Sequence, residues 1–135
     1  MIGIKKKIST SLKNYNKVVI WGAGGLANTA IKNWLPANKI DYIVDKNPNK
    51  VNFLKSYNIY SIDKLLQDPP ELIIVCSSAY IEIFKNIKDM GIKWDYKYIY
   101  ELFIENHKFK NELSKLYIDI LATKNCNFIK LLITK

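Results

Sequence analysis

Paired glycines set directly behind a buried apolar run constrain this chain more than any other feature. Lys17-Val18-Val19-Ile20-Trp21 is short, β-branched and apolar, the pattern of a strand covered on both faces. It runs without a spacer into Gly22-Ala23-Gly24-Gly25-Leu26-Ala27. From residue 25 the apolar spacing turns helical, with Ala27, Ala30, Ile31, Trp34 and Leu35 on one side and Pro36 closing the run. Strand, glycine turn and helix in that order open a βαβ unit.

The rest of the chain continues the alternation. Residues 4–15 carry Ile4, Ile8, Leu12 and Tyr15 at helical spacing. Ile40 to Asp45 reads as the second strand, and Lys46-Asn47-Pro48-Asn49-Lys50 as a turn. A short strand is expected at Ile59-Tyr60, then a helix through Leu65 and Leu66 with Ser61 as its N-cap and Asp68-Pro69-Pro70 as its stop. Leu72 to Cys76 is the most strand-like run. Ser77-Ser78 opens another helix, with Tyr80, Ile83, Phe84 and Ile87 on its buried face and Gly91 at the position after its C-cap. A fifth strand is expected at Lys97-Tyr98-Ile99-Tyr100, a helix at residues 111–122, and a last apolar piece from Phe128 to Ile133. This order predicts an α/β chain with a Rossmann-like three-layer sandwich, a parallel sheet in the order 3-2-1-4-5 under the right-handed crossover rule, and a C-terminal helical extension. The organisation expected is one domain over residues 1–135: an N-terminal helix in 1–16, a nucleotide-binding core in 17–100 and a helical tail in 101–135.

The candidate site follows from the mechanics of the glycine turn. Gly22-Ala23-Gly24-Gly25-Leu26-Ala27 fits the spacing G-x-G-x-x-A. Gly22 turns the chain off the strand, Gly24 lets a pyrophosphate approach the backbone, and Ala27 lets the helix pack close to the strand. The helix N-terminus offers unpaired N–H groups to phosphate. Asp45 ends the second strand where an acid would hold a ribose hydroxyl; it disfavours a 2′-phosphate, an objection softened by Lys46 beside it. Asn47 and Pro48 would shape the wall on the base or sugar side. Cys76-Ser77-Ser78 falls at the carboxyl end of the fourth strand, where open α/β sheets bind ligands, so the Ser77 and Ser78 hydroxyls are candidate donors to a phosphate or sugar. The ligand-binding candidates are therefore Gly22, Ala23, Gly24, Gly25, Leu26, Asp45, Lys46, Asn47, Cys76, Ser77 and Ser78. No catalytic set is assigned. Cys76 reads as a small buried residue rather than a nucleophile, Tyr80 and Trp21 as packing residues, and His107 as a solvated loop histidine. Tyr60…Lys64 has the Tyr-x-x-x-Lys spacing of some oxidoreductases but precedes the fourth strand.

Charge and cysteine content narrow the classes. The net charge is +9, yet all 21 basic residues are lysine and they are spread along the chain, so a solvated basic surface is expected and no nucleic-acid partner. Two cysteines and one histidine are too few for an ordinary zinc site, and no metal is expected. No apolar run spans a bilayer, and the lysines at residues 5–7 are not followed by the long apolar stretch of a signal peptide, so a cytoplasmic protein is expected.

The runs Val18 to Gly25, Ile43-Val44-Asp45-Lys46-Asn47-Pro48, Ile59-Tyr60-Ser61 and Leu72 to Cys76 together resemble the Rossmann-like domains of bacterial surface-sugar biosynthesis proteins. Similar domains are the N-terminal sugar-nucleotide-binding domain of sugar N-acyltransferases, the C-terminal domain of sugar C-methyltransferases, and the CoA- or NAD(P)-binding-like domain fused to nucleotide-sugar dehydratases. The resemblance covers residues 18 to about 91. It implies binding of a sugar nucleotide or NAD in polysaccharide synthesis. The sequence departs from the acyltransferase pattern at Leu26, where a histidine is usual. These 135 residues contain neither the acyltransferase β-helix nor a methyltransferase domain, so a stand-alone binding domain or one piece of a larger assembly is expected. The alternatives are a small NAD-dependent oxidoreductase or epimerase-like enzyme, and a non-catalytic interaction or regulatory subunit. A homodimer through the C-terminal helix and tail is also expected.

Overall fold

The computed structural model describes residues 3–49, 56–91, 93–106 and 114–124. His107, the segment 111–113 and the Phe128–Ile133 piece lie outside them. Five parallel strands, β1 (Val18–Trp21), β2 (Ile40–Val44), β3 (Ile59–Tyr60), β4 (Leu72–Val75) and β5 (Asp95–Tyr98), form one sheet in the order β3-β2-β1-β4-β5. The strand order is the one the alternation of elements requires. Every residue of β1 and β4 is buried, which is why these two runs carry no polar residue. Among the described residues six α-helices flank the sheet: α1 (Ile4–Ser11), α2 (Gly25–Asn33), α3 (Lys64–Gln67), α4 (Tyr80–Asp89), α5 (Ile99–Asn106) and α6 (Ser114–Lys124).

Right-handed crossovers put α2 on one face of the sheet and α3 and α4 on the other. Side-chain contacts fit that layering. Trp34, the C-cap of α2, sets its ring 5.8 Å from Tyr100 and 5.7 Å from Phe103 of α5. Ser11 at the end of α1 donates to Asn106 of α5 at 2.8 Å. On α4, Ile83, Phe84 and Ile87 are buried, and Tyr80 stacks on Tyr98 with ring centroids 4.1 Å apart. Gly91 has φ +70 and donates its N–H to the carbonyl of Lys88, the left-handed ending expected from the sequence.

Three local expectations shift. The fifth strand lies two residues earlier than its apolar content indicates. Register against β4 pairs Leu72 with Asp95 and Val75 with Tyr98, so the ladder is complete before Ile99. Ile99 and Tyr100 instead begin α5, where Ile99 and Leu102 bury themselves three residues apart. Ser61 does not cap α3, which starts at Lys64; the chain enters that helix through backbone bonds such as Lys64 N–H to the Ser61 carbonyl. Ser77 and Ser78 do not cap α4 either. The Ser77 hydroxyl accepts the Ala79 N–H at 3.1 Å in a turn that precedes the helix.

α6 reaches β5 through Lys124. Lys124 pairs with Glu101 of α5 at 2.8 Å, donates to the carbonyl of Tyr96, and lies over the rings of Phe84 and Tyr96. Burial lowers the Lys124 ammonium from its ordinary pKa, with Glu101 opposing the shift. Glu101 is only 3% exposed and is the one buried charged side chain among the described residues. Ile120 of the same helix is fully buried against the core, while Ile118 stays exposed.

Gly22 fixes the geometry of the sheet's carboxyl edge. Its φ is +119, and a Cβ there would stand 2.4 Å from the Cys76 carbonyl oxygen. Gly24, two residues on, would place a Cβ in open space. Gly22→Ala should therefore cost about 3 kcal/mol of stability in urea unfolding, and Gly24→Ala under about 1 kcal/mol. Equal losses would remove the assigned role of Gly22.

Two tyrosines tie stability to alkaline pH. Burial pushes the phenols of Tyr42 and Tyr98 from 10.0 up to about 12. The folded chain then keeps protons that the unfolded chain releases, so the stability they contribute is complete below pH 10.0 and falls as pH rises toward about 12. Tyr42→Phe should flatten the fall in unfolding free energy across that window; an unchanged pH slope would count against it.

Candidate functional site

The glycine turn, the end of β2 and the end of β4 meet at the carboxyl edge of the sheet, where the strand order reverses about β1. The ladder runs to the last residue on both sides. Gly22 N–H donates to the Val44 carbonyl at 2.8 Å, and Cys76 N–H to the Trp21 carbonyl at 2.9 Å. Gly22 can occupy this position only because it lacks a side chain. Gly24 and Gly25 are exposed just beyond it, and Gly24 is the N-cap of α2 with no side-chain capping bond. The first N–H groups of α2 therefore face outward from an uncapped terminus, which carries the partial positive charge of the helix dipole.

Asp45 organises this edge. One carboxylate oxygen accepts the Ala23 N–H at 2.8 Å, and the other accepts the Asn47 N–H at 2.8 Å. Its own N–H donates to the Tyr60 carbonyl at 3.0 Å. The side chain thus links the glycine turn to the end of β2 and shapes the loop that follows. The sequence spacing pointed to a ligand role for Asp45; the hold it has on Ala23 needs the fold, since the two residues meet only across the β1–β2 pair.

A cavity of about 350 Å³ opens at the same edge, within the size range of small-ligand sites. Gly22, Asp45, Lys46 and Ser77 contribute to its wall from the loops, and Trp21 forms part of its floor. Glu82, Ile83 and Asn86 of α4 and Ile62 close it on the helix side. A second cavity of about 330 Å³ adjoins it, sharing Trp21, Ile62 and Asn86 and adding Asp89 and Met90. Sequence reasoning left out Ile62 and the α4 residues. Glu82 and Asn86 show in sequence only as part of a polar stripe indistinguishable from a solvated helix side, and Ile62 and Ile83 only as apolar packing residues.

Of the sequence-derived candidates, Gly22, Asp45, Lys46 and Ser77 line the cavity. Ala23, Gly24 and Gly25 stand beside it in the turn. Asn47 and Ser78 are exposed off its wall, and Leu26 is half-buried against the core. Cys76 is buried, its thiol pushed up by burial and so held protonated, and it does not reach the cavity wall. Trp21 is 4% exposed and belongs to the core as well as to the floor. Tyr60 and Lys64 are brought together, but as a cation over a ring: the Lys64 ammonium lies 4.7 Å from the Tyr60 ring and 5.5 Å from that of Tyr42, away from the cavity. Among the described residues no three His, Cys, Asp or Glu side chains gather as a metal site, and no helix is long and apolar enough to cross a membrane.

Sheet order, glycine turn and edge cavity together define an α/β domain of Rossmann-like parallel-sheet topology. The chain belongs to the C2185-like, N-terminal domain family, whose model matches residues 14–99, from the end of the first helical region through β5. No curated protein and no solved structure matches the chain.

The two bonds at Asp45 make a specific demand on residue type. Asparagine at this position accepts at one end only and turns an NH₂ toward the other backbone N–H. Asp45→Asn should therefore cost nearly as much as Asp45→Ala, about 2 kcal/mol in each case. Amide exchange at Ala23 and Asn47 should quicken in both variants. Native-like protection of Ala23 in Asp45→Ala would remove the bracing role.

Proposed function

We propose that this domain binds a nucleotide-type ligand, a sugar nucleotide or NAD, at the carboxyl edge of its sheet. One observation carries the reading: the uncapped N-terminus of α2 opens beside the edge cavity, with nothing over Gly24 to block a phosphate. The phosphates accept from the free N–H groups of the turn and the first turn of α2. Ser77 adds a hydroxyl from the opposite side of the crevice. The Asp45 carboxylate spends one lone pair of each oxygen on backbone and has others left for a ribose or sugar hydroxyl, and its charge disfavours a 2′-phosphate. The resemblance to surface-sugar biosynthesis domains supports a role in polysaccharide synthesis, in the cytoplasm. Among the described residues nothing in the cavity supplies a nucleophile with an adjacent base; the Tyr60…Lys64 pair is spent on a cation–ring contact, and the Tyr42 hydroxyl, spaced likewise from Lys46, donates to the Asp68 carbonyl, so binding is favoured over catalysis.

A thermal-shift panel with NAD, NADP, UDP-sugars, dTDP-sugars, CoA and S-adenosylmethionine tests this. A ligand at about 100 times its Kd should stabilise the fold by roughly 2.7 kcal/mol, a rise of several degrees. Gly24→Val should abolish the shift at a cost to the free protein of no more than about 1 kcal/mol, because its side chain would fill the open space a phosphate needs. Absence of a shift with every ligand would refute the reading.

A further inference from the structure

We propose that the groove between Ile62 and α4 is a subsite for an uncharged, hydroxyl-rich group of the ligand, and that Glu82 and Asn86 select it. This rests on the nucleotide-binding reading and assigns the two ends of the ligand to different places. The two cavities share Trp21, Ile62 and Asn86, so they form one groove that starts at Gly22 and Asp45 and runs along α4 to Asp89 and Met90. The second cavity lies beyond the glycine turn and so can take a group other than the phosphates.

The polar lining decides which group. Glu82 and Asn86 lie four residues apart on α4, one above the other on the groove side. Asp45, Glu82 and Asp89 bring three carboxylates into the groove wall against one ammonium, Lys46. In a chain of net charge +9 this lining runs against the charge of the whole molecule. A second phosphate placed here meets like charge with no guanidinium to offset it. A sugar hydroxyl donates to the carboxylates, and the Asn86 amide both donates and accepts. Trp21, Ile62 and Ile83 give the C–H face of a ring an apolar floor. Phosphates then lie on α2, and the sugar lies in the groove against α4.

The experiment is a calorimetric titration of the whole chain with UDP, UDP-N-acetylglucosamine, dTDP, dTDP-glucose and NAD. It is run on the native protein and on the double variant Glu82→Ala/Asn86→Ala, both exposed helix positions. In the native protein the attached hexose should tighten binding about tenfold over the bare diphosphate, the scale of a hydrogen bond to a charged group. In the double variant that gain should vanish, the conjugates binding no more tightly than the bare diphosphates. Diphosphates that bind without any gain from the hexose, or a gain that survives in the variant, overturn the groove assignment and leave the nucleotide site standing. Binding of NAD with neither diphosphates nor conjugates overturns the groove as a sugar subsite. No binding of any of the five overturns both readings.

Discussion

Everything at the working edge of this domain depends on one close approach, the backbone of Gly22 against the carbonyl of Cys76. A Cβ at 2.4 Å from that oxygen has no room, so β1 and β4 reach the edge together only because residue 22 has no side chain. The same residue donates to Val44, so β1 is held on its other side by β2 at the same level. With three strand ends level, the loops that follow them share one crevice. Asp45 can then reach Ala23, and the Ser77 loop can face the turn. The cavity follows from strand ends that finish in line.

The parts of this arrangement legible in the sequence are those in which both faces of a segment obey one rule. β1 and β4 are short, apolar and β-branched because helices cover them on both sides, β2 is the same except at the exposed Asp41, and all three fall within a residue of where the pattern places them. Gly91 ends α4 as expected because a left-handed backbone asks for glycine whatever surrounds it. The fifth strand is different. It is an edge strand, so Asp95 and Lys97 alternate with Tyr96 and Tyr98, and its apolar density is lower than that of the helix start that follows it. Tyr98-Ile99-Tyr100 has strand-like composition, but register with β4 ends at Tyr98 and the burial of Ile99 with Leu102 takes the next residues into α5. Tertiary pairing outweighs local propensity there.

The site was half legible for a related reason. Local spacing exposes residues whose role is set by their neighbours in the chain, which is how Gly22, Asp45, Lys46 and Ser77 stand out. It does not expose residues brought to a cavity by a neighbouring helix. Glu82 and Asn86 occupy the polar side of an amphipathic helix, and only the nearness of Ile62 and Trp21 makes that side a wall. Charge shows the same limit. A total of +9 describes the solvated surface, whereas the groove is lined by more carboxylates than lysines. Composition averages over places that have opposite character.

The seat of Lys124 on the last strand has a consequence for the domain among its own copies. An exposed strand edge offers carbonyls and N–H groups to any extended segment, and crowded chains aggregate through such edges. Here the Tyr96 carbonyl is already bound by an ammonium from α6, which Glu101 holds in place from below. A strand arriving at that point would have to displace a buried ion pair before it could form its first ladder bond. The ion pair on α6 and α5 thus keeps one acceptor of the last strand occupied from within the same chain.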